Sequence, residues 1–171
     1  SEAVDLGQSP GDIVVLSAAD TELAALAQAQ RSLGDGYPRL RLANLMQLAH
    51  PMSVDGYVED VIAEARLVVV RLLGGLGYWR YGVEQVAQTC RRRGIALAVV
   101  PGDDKPDDEL SAWSTIDAAA RDRIWQYAVQ GGPQNARNLL AFAADRIGVP
   151  GFADWAGPAP LVKAGLYWPG T

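Results

Sequence analysis

The fold is decided by the stretch Arg66-Leu67-Val68-Val69-Val70-Arg71-Leu72-Leu73-Gly74-Gly75-Leu76-Gly77-Tyr78-Trp79-Arg80-Tyr81-Gly82. Its first half is a run of β-branched and other apolar residues, which is typical of a strand buried on both faces of a parallel sheet. Its second half combines glycines, which allow sharp turns and close backbone approach, with aromatic rings that offer broad apolar faces. Residues 74–82 are therefore either a ligand-binding loop or a cap over the hydrophobic core.

Three other apolar runs, at residues 11–17, 40–43 and 95–100, are predicted as strands that accompany the strand at 67–73. Helical segments are predicted between them, and we expect Asp20 or Thr21 to cap the first helix and Ser53 to cap the second. The clearest helical periodicity is that of Val54, Tyr57, Val58, Val61, Ile62 and Ala65. The alternation of strands and helices predicts a three-layer α/β fold of the Rossmann or flavodoxin-like type, with four parallel strands in the order 2-1-3-4.

The sequence is predicted to divide into three parts. Residues 1–105 form the flavodoxin-like α/β domain, and residues 106–148 form an appended helical hairpin that packs on it. A capping signal at residues 114–117 and the breaker Gly131-Gly132-Pro133 mark the two helices of this hairpin. Residues 149–171 are rich in proline and glycine and are expected to form an extended connection to a missing remainder.

Composition excludes several classes of protein. The net charge of −5 disfavours binding to nucleic acid or to anionic membranes. The only cysteine, Cys90, cannot form an internal disulfide or a cysteine-based metal cluster. Its spacing places it on the buried face of a helix. No apolar run approaches the roughly 18 residues needed to span a bilayer, and the first residues do not resemble a secretion signal. We therefore expect a cytoplasmic protein that binds no nucleic acid and no membrane.

Candidate functional residues follow the strands, at the edge where α/β sheets bind ligands. The sequence Gly74-Gly75-Leu76-Gly77 matches neither GxGxxG nor a P-loop, so nucleotide binding by this chain is not predicted. His50 could serve as a metal ligand or proton shuttle, but a packing role in its loop is the competing interpretation. The residues predicted to bind substrate or contact another subunit are Arg71, Gly74, Gly75, Tyr78, Trp79, Arg80, Tyr81 and His50. Catalytic residues are not assigned, and no metal ligand is predicted.

Several motifs together resemble a known family. They are residues 12–20, 50–55, 71–75, 78–82, 97–104 and 165–170. In order and spacing they resemble the N-terminal region of the large subunit of aerobic cobaltochelatase, the CobN family. The same region is more distantly similar to the porphyrin-binding H subunit of magnesium chelatase.

This resemblance implies an enzyme subunit that binds hydrogenobyrinic acid a,c-diamide and takes part in ATP-dependent cobalt insertion during aerobic cobalamin biosynthesis. It implies the remainder of the large subunit and the AAA+ motor subunits CobS and CobT as partners. Cobalt and ATP are then used by the full complex, whereas the fragment alone binds no cofactor and is inactive. Two alternatives remain open: a stand-alone flavodoxin-like interaction module without catalysis, and the corresponding part of a magnesium chelatase H-type subunit.

Overall fold

The computed structural model describes residues 2–160. Of the predicted connection at 149–171, residues 161–171, including the motif at 165–170, lie outside the described residues. The strands are β1 Ile13–Ser17, β2 Leu40–Asn44, β3 Leu67–Leu72 and β4 Ala96–Pro101. The α-helices of the described part are α1 Asp20–Leu33, α2 Pro51–Tyr57, α3 Arg80–Arg93, α4 Asp108–Ser111, α5 Ala118–Gln130 and α6 Gly132–Arg146. Short 3-10 turns at Leu45–Leu48 and Leu76–Tyr78 and a π-helix at Val58–Ile62 complete the regular structure of these residues.

The strands form one parallel sheet in the order β2-β1-β3-β4. In the middle of the sheet, Val15 of β1 lies opposite Leu42 of β2 and opposite Val69 of β3. Parallel strands need a crossover on a face of the sheet, and the helices between the strands supply it. The predicted α/β class and strand order are both confirmed.

Alternate residues of each strand point to opposite faces, so the sheet separates two hydrophobic clusters. Val15 and Val69 belong to the cluster under α1, α5 and α6, which we call the first face. Val14 and Val70 belong to the cluster under α2 and α3, the second face, where Cys90 is fully buried as its spacing predicted. Both faces of the central strands are therefore covered, which makes the fold three-layered.

The C-terminal helices share the core of the first face. The hydroxyl of Tyr37, which follows α1, donates to the carbonyl of Leu140 in α6 at 2.7 Å. Phe152, after α6, packs edge-on against the Tyr37 ring with the centroids 5.3 Å apart. The division into a domain at 1–105 and appended helices at 106–148 stays a prediction, while α5 and α6 lie in the same helical layer as α1.

The predicted helix over residues 54–65 differs in detail. Ordinary α-helix begins at Pro51 and ends at Tyr57, and the chain then widens into the π-helix, where the amide of Ala63 donates to the carbonyl of Val58, five residues back. The wider turn accommodates two adjacent buried side chains, Val61 and Ile62, against the second face.

Two predicted N-caps are wrong. α1 begins after Ala19 with no side-chain cap, because the hydroxyl of Ser17 accepts from the Ala19 amide and turns the chain there. His50, rather than Ser53, caps α2. The Ser53 hydroxyl instead accepts from the backbone amide of Val4 at 2.6 Å.

The outer edge of β4 is covered by the segment that leads into α5. The hydroxyls of Ser114 and Thr115 accept from the amides of Val99 and Leu97 at 2.9 and 2.8 Å. The Thr115 hydroxyl also donates to the carbonyl of Ile95. Of the predicted capping signal, only Asp117 caps α5, because the two hydroxyl residues before it pair with the strand instead.

None of the helices in residues 2–160 combines the length and the apolar character that crossing a bilayer requires.

Candidate functional site

The predicted site residues lie in two separate groups, because successive side chains along β3 point to opposite faces of the sheet. Arg71 has the same parity as Val69, so its side chain lies on the first face. The loop after β3 folds toward the second face, where Trp79 joins the hydrophobic cluster under α2 and α3. Arg71 and the aromatic residues are therefore close in sequence but lie on opposite sides of the sheet.

The loop after β3 turns at two glycines. Gly74 and Gly75 have φ angles of 95° and 82°, a left-handed region that is costly for any residue with a Cβ atom. The 3-10 turn at Leu76–Tyr78 follows, and α3 begins at Arg80. The glycines thus reverse the chain between β3 and α3.

Trp79 is part of the core. Its side chain is buried, and the indole Nε1 donates to the carbonyl of Leu48 at 2.9 Å. Its ring lies against Gly82, where a Cβ atom would come within 2.0 Å of the ring. Of the two interpretations open for this loop, the core cap therefore applies to Trp79.

The neighbouring aromatic residues are exposed. Tyr78 and Tyr81 expose 51% and 39% of their surface, and Met46 exposes 59%. Together with the exposed Arg80 they border a groove beside the start of α3. We call Met46, Tyr78, Arg80 and Tyr81 the aromatic patch.

Tyr81 is held in place by an acid. Its hydroxyl donates to Oδ1 of Asp55 in α2 at 2.7 Å, and this hydrogen bond raises the pKa of Tyr81 above its usual value. Because the phenol stays protonated, it is a hydrogen-bond donor with one remaining acceptor site on its oxygen. The groove thus has a polar border on the side of α2.

His50 serves as a helix cap. Its Nδ1 atom accepts from the amide of Met52 at 3.1 Å, which requires the proton of the neutral ring to be on Nε2. The ring is half-buried at the start of α2. Within residues 2–160 there is no group of three histidine, cysteine, aspartate or glutamate side chains arranged to hold a metal ion.

Arg71 forms a buried network on the first face. Its Nε atom donates to the carbonyl of Pro101, and Nη2 donates to that of Gly102, both at 3.1 Å. Its Nη1 atom donates to the carbonyl of Ala128 in α5 and to the carboxylate of Glu22 in α1. The guanidinium therefore ties β3 and β4 to two helices that lie far apart in sequence.

A cavity of about 450 Å³ lies beside this network, between the carboxyl ends of β1, β3 and β4 and the helices α1, α5 and α6. Its walls are mainly apolar, with Val15, Val69 and Val100 from the sheet. The sequence predicted a crevice between β1 and β3 lined by residues 17–20 and 73–79. Residues 17–19 and Leu73 do line the cavity, whereas Tyr78 and Trp79 do not.

Among the cavity residues that sequence reasoning missed are Glu22, Gly131 and Gly132. Glu22 lies one turn into α1, and a single acid among several gives no signal of its own. The two glycines were interpreted only as a helix breaker, although both have positive φ angles and lie at the start of α6 beside the cavity.

Comparison with known proteins gives one consistent result. No family model matches the chain. The chain is 50% identical over 172 residues to the aerobic cobaltochelatase subunit CobN of a Sinorhizobium species, covering 100% of this chain and 13% of that protein. It is 46% identical over 164 residues to the subunit of the same name from Pseudomonas aeruginosa, covering 96% of this chain and 13% of that protein.

A solved structure matches as well. The catalytic subunit of cobaltochelatase from Mycobacterium tuberculosis superposes with a TM-score of 0.68 at 30% sequence identity, over 88% of this chain and 11% of that one. The chain thus spans about an eighth of the length of the curated relatives that it matches. It belongs to the family of the aerobic cobaltochelatase subunit CobN.

Proposed function

We propose that this chain works as the N-terminal part of the large, tetrapyrrole-binding subunit of an ATP-dependent cobaltochelatase. The whole subunit would insert cobalt into hydrogenobyrinic acid a,c-diamide in aerobic cobalamin biosynthesis, in the cytoplasm. The observation that carries this proposal is identity of 50% and 46% to two CobN subunits over nearly the full chain. Similarity at this level along the whole segment supports a shared role in the parent subunit.

Energy and chemistry would come from outside this segment. We assign ATP hydrolysis to the motor subunits CobS and CobT, and the insertion step to the remainder of the large subunit. The sequence supports this division because it contains no P-loop. The isolated chain should accordingly give no saturable heat with Mg-ATP or with Co²⁺ in calorimetry, and micromolar binding of either would contradict the division.

The contribution of this segment is contact with the remainder of the large subunit. The aromatic patch supports that role, because exposed tyrosine, methionine and arginine side chains are typical of the anchors of protein interfaces. The groove beside it gives such a contact a concave surface to fill. Gly74 and Gly75 would act by shaping the loop that presents Tyr78, and His50 by capping α2 next to Asp55.

A chimera tests the proposal. The matched segment of Pseudomonas aeruginosa CobN is replaced by this chain, and cobalt insertion is measured with purified motor subunits. We expect insertion at a rate within a few-fold of the parent subunit. A chimera that folds and binds its partners but does not insert cobalt would overturn the proposed function.

Two arginines of α3 provide a matched comparison within the chimera. Arg80 belongs to the aromatic patch, whereas Arg92 is exposed at the other end of the helix, about 18 Å away at 1.5 Å per residue. Arg80→Ser combined with Tyr78→Ser should lower cobalt insertion by about tenfold, equivalent to about 1.4 kcal/mol. Arg92→Ser should leave it unchanged, and equal effects of the two changes would remove the patch from the proposal.

A further inference from the structure

The cavity on the first face lies at the topological switch point of the sheet. The chain leaves β1 toward β2 on one side and β3 toward β4 on the other, and open α/β sheets bind ligands in the crevice between two such strands. Its volume of about 450 Å³ lies within the range of about 300 to 1,000 Å³ that small-molecule pockets occupy. The position and size are those of a ligand pocket.

Two buried donors at the cavity have capacity to spare. Ser17 is only 2% exposed, and its hydroxyl oxygen accepts from Ala19, but its own proton has no acceptor within residues 2–160. The Arg71 side chain is 10% exposed, and its five N–H groups make four hydrogen bonds to the part of the chain that the structure describes. Each of these atoms already makes at least one hydrogen bond, and a ligand that accepts from the spare O–H and N–H groups would be stabilised here.

Two helices also begin at this cavity without a side-chain cap. The N-cap residues of α1 and α6 are Ala19 and Gly131, and neither can satisfy the first free amides of its helix. By contrast, α2, α4 and α5 begin with caps from His50, Asp107 and Asp117. The free amides and the positive ends of two helix dipoles favour negative charge at the same place.

Glu22 does not oppose this preference, because its carboxylate is paired with the Arg71 guanidinium. The charges of that pair cancel, and the other polar side chains in the lining, Ser17, Thr21 and Tyr127, are neutral. Asp20, the second acid in the first turn of α1, accepts from Asn44 and is not part of the lining. Below them the pocket is apolar, with Leu26, Ile124 and Leu139 among its walls. The pocket therefore combines a donor-rich rim with an apolar interior.

We propose that this cavity binds a small organic anion, with its carboxylate or phosphate group at the rim and its apolar body between the sheet and α1, α5 and α6. The acid group accepts hydrogen bonds from the Ser17 hydroxyl, from Arg71 and from the free amides that begin α1 and α6. One ring-sized apolar body fits between the valines of the sheet and the helices. This site is separate from the aromatic patch and independent of the proposed role in cobalt insertion.

The test is a titration of the full 171-residue chain followed by the shifts of its backbone amide resonances in NMR. The probes are phenyl phosphate and benzoate, which distinguish the two acid groups, and benzyl alcohol, which has the same ring without a charge. We expect saturable shifts with at least one acid, centred on the amides of residues 19–22 and 131–132. Benzyl alcohol should bind at least tenfold more weakly.

Position 19 offers a variant that blocks the site without threatening the fold. Ala19 is exposed and is the N-cap of α1, where aspartate is among the preferred residues. Ala19→Asp places a carboxylate where the ligand's acid group would lie, so affinity should fall by at least tenfold while the melting temperature is unchanged or higher. Ala19→Asn supplies a neutral cap and should weaken binding by only a few-fold, and Ser17→Ala should do so as well.

Three results would overturn the proposal. The first is the absence of saturable shifts at these amides with either acid. The second is binding of benzyl alcohol as tight as that of the acids. The third is equal affinity of the parent chain and the Ala19→Asp variant, which would place any bound acid elsewhere. Because no cobalt or motor subunit is used, none of these results bears on the proposed function.

Discussion

The two faces of the sheet are built from similar valines but end differently at its carboxyl edge. On the second face, the Trp79 ring packs over Gly82 and closes the space above the strands. On the first face, α1, α5 and α6 pack together on the sheet, but a cavity remains among them beside Arg71. The residues of the strands therefore do not determine on which face a pocket forms. A single aromatic side chain in the following loop, and helices some fifty residues further along, decide which face is filled.

The strongest test of this difference is Trp79→Ala, which should open the closed face. Replacing a buried tryptophan by alanine costs about 3 to 5 kcal/mol, because transfer free energy is lost and a cavity is left. The Leu48 carbonyl also loses its donor. Urea denaturation should show this loss as a lower midpoint with an unchanged m-value. A loss below about 1 kcal/mol would mean that the ring does not close the second face.

Arg71→Met tests the network that frames the open face. Three backbone carbonyls lose a donor and Glu22 loses its partner, so we expect a loss of about 2 to 4 kcal/mol in the free energy of unfolding. Glu22→Gln is the matched control, since an amide oxygen still accepts from the guanidinium. Glu22→Gln should lower the free energy of unfolding distinctly less than Arg71→Met does in the same denaturation experiment. Equal losses would show that the ion pair, rather than the contacts with the carbonyls, stabilises this edge of the sheet.

Gly82→Ala should overfill the closed face. The added Cβ atom would meet the Trp79 ring at 2.0 Å, and relieving such overpacking costs about 1 to 3 kcal/mol. In a Trp79→Ala background the clash is absent, and alanine is favoured over glycine inside a helix by about 1 kcal/mol. Gly82→Ala should therefore lower the free energy of unfolding in the parent chain and raise it in the Trp79→Ala background. A double-mutant cycle measures this difference. An additive result would contradict the ring-on-glycine contact.

Tyr78→Ser should have the smallest effect. This side chain is half exposed and makes no hydrogen bond through its hydroxyl within residues 2–160. Surface changes of this kind usually stay within about 0.5 kcal/mol. A thermal melt that superposes on that of the parent would keep Tyr78 free for contact with a partner. A large loss would place it in the core beside Trp79.

The sheet could be predicted from the sequence because its signals are local. The run at Leu67–Leu72 is apolar except for Arg71, and the segments on either side carry helical periodicity. The alternation of strands and helices is compatible with few sheet topologies, so the strand order could be predicted from it. The π-helix at Val58–Ile62 could not be anticipated, since an apolar stripe with two adjacent buried residues fits an α-helix almost as well.

The candidate site could be predicted only in part, because its walls come from distant segments. The partners of Arg71 lie 30 to 57 residues away in sequence, and no local pattern connects them. The burial of Trp79 did leave a signal that could be used elsewhere: a glycine three residues after a tryptophan at the start of a helix gives the ring a flat surface to lie on.

The hydroxyls of Ser114 and Thr115 determine how this segment can join a larger body. With the amides of Leu97 and Val99 already occupied, the outer side of β4 cannot accept another strand by β-augmentation. Pro101, which has no amide proton, ends the same edge. The sheet therefore stops at β4, and a neighbouring domain that meets this side must do so through side chains. The same closure protects the segment from edge-to-edge aggregation along β4 when it is produced alone.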